Sequence, residues 1–431
     1  MKKRVLIITY YWPPSGGAGV QRWLKFAKYL PEFGWQPVVY TPDNGEVPVT
    51  DESLDKDISP ETIVIRKKIW EPYDWYKKFV GQKKDEKINV GFLSEQEKPK
   101  IIEKISVWIR GNLFIPDARK FWIKPSTKFL SKYLSNHKID AIISTGPPHS
   151  MHLIALKLQN KFKIPWIADF RDPWTNIDFY DDLLLTKRSD KKHRRLEKSV
   201  LQMADCVLTV GKTLGDELKQ LGAKKVEVIT NGFDELDYQD KKIKPDKKFS
   251  IVHIGSMPKS RNPVSLWKVL SKLVKNNADF RNDLEVKLVG KCDFHLNQSI
   301  SDFGLSNYVK KVDYVAHSTL GNIQKSAQVL LLLINNTQNA KGILTGKFFE
   351  YLAAKRPILA IGPIDGDVAK ILKETHAGAI VDFNDFTTLE KIVNNYFEKY
   401  KKHQLFSESL DINRFKRKNL TKHLAGLMNA L

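Results

Sequence analysis

Four short segments of this chain hold the residue types that can do chemistry, and each follows an apolar run. The richest is Lys341–Pro363, KGILTGKFFEYLAAKRPILAIGP. Gly342 and Gly346 space a turn, and Lys347–Lys355 reads as a helical run with Lys347 in its first turn and Glu350 one turn on, on the same side. Pro357 breaks the helix before the apolar run Ile358–Ile361, and Val329–Ile334 precedes the unit as a buried parallel strand. A cation in a first helical turn is unfavourable for the helix dipole. Lys347 beside free N–H groups therefore implies an anionic partner. A second segment, GSMPKSRNP, follows the strand Ser250–Ile254 and contains Gly255, Ser256, Lys259 and Arg261. In the first half, YYWPPSGGAG places Gly16, Gly17 and Gly19 between a strand and a helix. That spacing is not G-x-G-x-x-G, so no nicotinamide cofactor is indicated; a phosphate cradle and a plain tight turn both fit. The fourth segment combines TGPPHS, with His149 and nearby His152, and DFRDPW, with Asp172, each after a strand. Polar groups at the carboxyl ends of strands are placed for a site. Taken singly, Asp172 can cap a turn and His149 can be an ordinary loop residue.

The elements that must position these residues alternate regularly. Strands are expected at Val5–Thr9, Gln36–Thr41, Asp140–Ser144, Ile164–Ala168, Cys206–Val210 and Val226–Ile229, with helices between most of them. Asn231-Gly232 marks a turn, and the lysine-rich Asp234–Lys248 reads as a linker. A second alternation then runs through Ser250–Ile254, Leu284–Val289, Val309–Val312, Val329–Ile334, Ile358–Ile361 and Ala379–Asp382. This predicts an α/β protein of two Rossmann-like domains, 1–233 and 234–412. A basic amphipathic C-terminal helix (413–431) is expected to cross back to the first domain. Between about 70 and 134 aromatics interleave with Lys and Arg and break the rhythm. Such an insert suits a membrane interface or a cleft for a lipid-linked or sugar acceptor. It equally suits helices that cover the sheet with snorkelling lysines.

The 431 residues include 71 Lys+Arg against 49 Asp+Glu, a net charge of +22. An excess of that size points to an anionic partner: nucleic acid, an acidic membrane surface or a phosphorylated substrate. No zinc-finger spacing or RNA-recognition consensus is present, which leaves a peripheral role on an anionic membrane as the favoured reading, plain solvated surface charge as its competitor and nucleic acid as not expected. No apolar run is long enough for a membrane span. The basic start MKKRVLIITYYWPP meets Pro13-Pro14 and reads as a first strand rather than a leader. Cys206 and Cys292 form no metal or redox motif, and a cytoplasmic setting is expected, with docking on the inner face of the cytoplasmic membrane.

Two similar α/β halves with these loops resemble the GT-B glycosyltransferase architecture, and the details resemble family 4 of those enzymes. The paired glycines Gly16-Gly17 match the family's N-terminal loop, and Asn231-Gly232-Phe233-Asp234 matches its interdomain signature. The family's Arg/Lys pair on the donor diphosphate falls at Gly255–Asn262, where Ser256 replaces the first basic residue, Arg261 stands for the lysine, and Lys259 is a substitute. Of the family's two glutamates, Glu350 matches the second, associated with the donor's ribose. The first position is Gly342, so the carboxylate associated with the transferred sugar has no counterpart there.

The resemblance implies two domains facing a cleft, the first on the acceptor side and the second on the donor side. It also implies sugar transfer from a nucleoside diphosphate sugar with retention of configuration, without metal or other cofactor. The acceptor would be a glycan or a lipid-linked intermediate of cell-surface polysaccharide synthesis. Donor contacts are expected from Gly16, Gly17, Gly255, Ser256, Lys259, Arg261, Gly346, Lys347 and Glu350, and acceptor-side catalytic roles from His149 and Asp172. A nucleotide-sugar 2-epimerase and a non-catalytic nucleotide-sugar-binding protein share the architecture and are the competing readings.

Overall fold

Strands with apolar residues on both faces must be covered on both faces, and this is how the chain folds. The computed structural model describes residues 2–47, 49–71, 101–238, 243–313 and 315–431. Of the unusual segment at about 70–134, residues 72–100 lie outside the described residues. The chain divides into two units: residues 231–416 form one, and the described residues before them join Arg417–Leu431 in the other.

The first unit is a seven-stranded sheet built from β1 (Lys3–Ile8), β2 (Trp35–Pro42), β3 (Ile63–Lys67), β4 (Ala141–Gly146), β5 (Trp166–Phe170), β6 (Cys206–Thr209) and β7 (Val226–Val228). Its order is β3-β2-β1-β4-β5-β6-β7, and every pairing is parallel. β3 is an edge strand absent from the sequence reading; only three apolar residues precede Arg66 and Lys67, and the strand is half exposed. The helix Arg417–Asn429 packs Leu420, Leu424, Leu427 and Met428 into the same core as Trp23, Leu24 and Ala27 of the helix Ala18–Tyr29.

The second unit is a six-stranded sheet of β8 (Phe249–Ile254), β9 (Leu284–Val289), β10 (Val309–Val312), β11 (Val329–Leu333), β12 (Ile358–Ile361) and β13 (Gly378–Val381). The order is β10-β9-β8-β11-β12-β13, again all parallel. Asn231-Gly232-Phe233-Asp234 belongs to this unit. Phe233 N–H donates to the Phe415 carbonyl at 3.1 Å and its ring joins the core of Phe348 and Phe349.

Both sheets reverse their winding once, between β1 and β4 in the first unit and between β8 and β11 in the second. Adjacent loops there leave in opposite directions, and a crevice opens at the strands' carboxyl ends. All four segments singled out in the sequence lie close to these two switch points: YYWPPSGGAG after β1, TGPPHS after β4 with DFRDPW on the neighbouring β5, GSMPKSRNP after β8, and Lys341–Glu350 after β11.

Candidate functional site

In the second unit the switch point gathers cations. Arg261 sits in a one-turn helix, Lys259–Arg261, and is held from two sides. Its Nε donates to Asn335 Oδ1 at 2.8 Å and its guanidinium to the Ser256 carbonyl at 2.8 Å. Asn336 N–H donates to the Ser260 carbonyl at 2.8 Å, so the loops after β8 and β11 are tied across the switch point. Gly255 has φ +120°, a conformation side chains resist, and a Cβ there would lie 2.3 Å from Lys347 Nζ. The glycine thus makes room for the lysine. Lys347 is only partly open to solvent, and burial followed by repulsion from Arg261 lowers its pKa to about 7, with Glu350 opposing. A protein holds two cations together in a desolvated corner at a cost, and an anion between them removes that cost.

The helix above them, Gly346–Ala354, starts one residue earlier than its apolar pattern indicates, with Thr345 as N-cap. Thr345 makes no capping bond, its buried hydroxyl has no partner, and the first turn has no acidic residue. Its free N–H groups and Lys347 therefore point one way electrostatically. Tyr351 locks this helix to the sheet, its hydroxyl accepting from Ile254 N–H at 3.0 Å. Glu350 is aimed by a relay: the Tyr238 hydroxyl donates to Gln324 Oε1 at 2.5 Å, and Gln324 Nε2 donates to Glu350 Oε2 at 3.1 Å. Lys259 and Ser256 are exposed on the same loop. Gly342 ends a one-turn helix, and the neighbouring Lys341 pairs with exposed Asp365 at 2.5 Å.

In the first unit Gly16 is buried and its N–H donates to the Val49 carbonyl at 2.8 Å, while Gly17 is exposed with φ +89° and starts the helix Ala18–Tyr29 with no side-chain cap. Here too the first turn lacks an acidic residue. A third helix start shows what a satisfied one looks like. Asp117 accepts from Ser150 N–H at 2.9 Å and from its hydroxyl at 2.8 Å, so the helix Ser150–Phe162 already has its anion.

His149, just before that helix, is buried and its ring stacks on Trp174 at 4.5 Å. Burial first, then His152 and His193, pushes its pKa well below the ordinary histidine value, so the imidazole is neutral. Its Nδ1 is buried without a partner. Asp172 is exposed on the loop after β5. The other charges of DFRDPW are structural. Asp169 accepts from Arg22 at 3.0 and 3.2 Å, from Trp23 Nε1 at 2.7 Å and from Thr145 at 3.0 Å, wholly out of solvent. Arg171 donates to the carbonyls of Gly19, Gly146 and Pro147 and fixes both loops. Removing one member of a buried ion pair strands the other, so Asp169→Ala is expected to cost about 3–5 kcal/mol. A shift of the urea unfolding midpoint measures this, and an unchanged midpoint would contradict the structural role.

Sequence reasoning missed Asn335, Ser260, Thr345, Gln324, Tyr238 and Tyr351. Ser260, Thr345 and Tyr351 lie inside the singled-out segments but carry no charge to mark them, and Asn335, Gln324 and Tyr238 lie outside those segments. Among the described residues, no three His, Cys, Asp or Glu side chains are placed to share a metal, and no helix is long and apolar enough to cross a membrane.

Two doubly wound parallel sheets, with uncapped helix starts at both switch points and cations at the second, have the architecture of the GT-B class of glycosyltransferase folds. Solved structures of that class match the chain from end to end. A glycosyltransferase from Rickettsia africae ESF-5 is 13% identical with a TM-score of 0.64, over 100% of this chain and 98% of its own. Sucrose-phosphate synthase from Thermosynechococcus elongatus is 12% identical with a TM-score of 0.63, over 100% and 99%. Anabaena HepE, in complex with UDP and glucose, is 14% identical with a TM-score of 0.63, over 100% of both chains. No curated protein matches the chain in sequence. The family model "Glycosyltransferase Family 4" matches residues 16–235, about half of the chain. The protein belongs to glycosyltransferase family 4.

Proposed function

We propose that the protein moves a hexosyl or related sugar from a nucleoside diphosphate sugar to a glycan or lipid-linked acceptor of surface polysaccharide synthesis, with retention of configuration. The observation that carries this reading is the convergence of Arg261 and Lys347 beneath an uncapped helix start. Breaking the bond between the anomeric carbon and the diphosphate concentrates negative charge on the leaving group. Fixed cations and helix N–H groups stabilise that charge without having to reorganise, and no metal is needed for it. Lys347, Arg261 and the N–H groups at Gly346 take the diphosphate, with Gly255 and Ser256 shaping the loop and exposed Lys259 adding positive potential. Glu350, one oxygen of which is oriented by Gln324, takes the ribose hydroxyls. Gly17 offers a second uncapped helix start to an anion. His149 and Asp172 serve the acceptor side.

A likeness in fold to a protein holding UDP and glucose supports the donor class. A thermal-shift panel of nucleoside diphosphates and their sugars tests it. A ligand at 100 times its Kd stabilises the native state by about 2.7 kcal/mol. A panel with no stabilising member would overturn the reading, and donor consumption without acceptor would favour an epimerase. Gly255→Ala is expected to weaken nucleotide binding at least tenfold, because its Cβ would occupy the lysine's place. Unchanged titration curves would remove Lys347 from the diphosphate.

An anionic membrane surface is the partner we assign to the aromatic patch of the first unit. Trp70 is 62% exposed and meets Phe121 edge-on at 4.8 Å, with Lys120 Nζ 4.8 Å from the Phe121 ring centre. Trp108 and Leu113 are exposed on the preceding helix, Ile101–Leu113. Aromatic, aliphatic and basic side chains together suit the headgroup region.

A further inference from the structure

A different surface of the first unit has another chemistry. Between the helices Lys120–Asn136 and Ser150–Phe162 lies an open groove of about 550 Å³. Lys124, Lys128 and Lys132 form one wall, and Lys157 and Lys161 belong to the other. All five are exposed, and none has a carboxylate partner among the described residues. The rest of the lining is Thr127, Ser131 and Ser135. Lysines four apart repeat every 6 Å or so along a helix, so the walls present a line of positive charge. Five cations around one groove, none with a carboxylate partner among the described residues, repel one another and attract a polyanion.

The lining also narrows the kind of polyanion. A site that inserts into a bilayer combines cations with apolar or aromatic side chains, and no apolar residue lines this groove. A single-stranded nucleic acid needs aromatic platforms for its bases, and these too are missing from the lining. The hydroxyls add a positive indication. Thr127 Oγ1 donates to the Ile123 carbonyl at 2.7 Å and Ser135 Oγ to the Ser131 carbonyl at 3.0 Å. With their protons committed, the two oxygens can act only as acceptors, so a ligand that meets them must bring donors, as a sugar hydroxyl does. A chain that carries anionic groups along its length and hydroxyls between them matches both requirements.

We propose that this groove binds an acidic glycan chain, lysines on its anionic groups and Thr/Ser oxygens on its sugar hydroxyls. This rests on the reading of the acceptor as a glycan, and it gives the first unit a chain-holding site of its own. The test titrates full-length protein with oligogalacturonate, neutral oligogalactan, polyphosphate, oligo-dT and phosphatidylglycerol vesicles. Two multiple variants are compared with wild type: Lys124→Gln with Lys128→Gln and Lys132→Gln, and Lys157→Gln with Lys161→Gln. The expected result is oligogalacturonate binding that weakens at least tenfold in either variant and is absent for neutral oligogalactan. Oligogalacturonate affinity unchanged by the substitutions, or no binding at all, overturns the proposal. So does polyphosphate, oligo-dT or vesicle binding that is as tight and is lost through the same lysines. Nucleotide thermal shifts on the same samples keep the two readings apart: they report the donor site alone, and both variants are expected to retain the wild-type shift.

Discussion

Lys347→Ala is expected to lower turnover about 10²–10³-fold, the scale on which a preorganised charge contact to a developing anion acts. Arg261→Ala should fall in the same range, because Arg261 is fixed on Asn335 and the Ser256 carbonyl rather than free to be replaced by a neighbour. Release of nucleoside diphosphate under saturating donor measures both. The loss should appear in kcat as well as kcat/KM, since the charge being stabilised is greater in the transition state than in the bound donor. Near-normal kcat with a raised KM would reduce either residue to ground-state binding, and normal values of both would remove it from the site. Lys347→Arg is not expected to rescue fully. The guanidinium is larger, and the space against Gly255 is measured for an ammonium.

The second large effect is a pH dependence with a defined sign. In the free protein Lys347 has its pKa lowered from 10.5 to about 7. A bound diphosphate favours the ammonium and raises that value again, so binding above about pH 7 takes up a proton. Affinity for nucleoside diphosphate is therefore expected to be greatest below pH 7 and to fall by up to about tenfold per pH unit above it. Lys347→Met should be weak and flat over the same range.

The same shift has a consequence for stability. Between about pH 7 and 10.5 the unfolded lysine keeps a proton that the native one has lost, so this group's cost to the fold is fully present at pH 7 and below and fades as pH rises towards 10.5. Lys347→Met is thus expected to unfold at a higher temperature than wild type at pH 6–7, with the gap closing towards pH 10. Calorimetry in the absence of nucleotide reads this directly. A variant less stable than wild type at pH 6 would show that the lysine is a fold-stabilising residue and not a held-back ligand for an anion.

Much of this molecule was legible in the sequence because its strands are buried on both faces. Val329–Leu333 is a continuous apolar run and Phe249–Ile254 is apolar but for Ser250 and His253; Asn335 shortly after the first and Gly255 directly after the second mark the loops. The half-exposed edge strand Ile63–Lys67 was not legible, since an edge buries too little to impose a pattern. Lys347, Glu350 and Arg261 could be named from a cation in a first turn and from resemblance to family 4. Their supporting residues could not. Gln324 and Tyr238 reach Glu350 from helical segments far apart in the chain, and Asn335 meets Arg261 only because β8 and β11 are neighbours in the sheet.

DFRDPW shows the converse. Its composition reads as a cluster of site charges, yet burial makes Asp169 a partner of Arg22 and Trp23, and Arg171 a clamp on loop carbonyls. The α/β class, the two alternating halves and the positions of the loops could be read from residue order alone, because they follow from local hydrophobic runs and glycine or proline punctuation. Which charged side chains remain available for an anion, and which are consumed by the fold, became visible only once the strands were packed. That choice depends on strand order and burial, and neither is written in the spacing of residues along the chain.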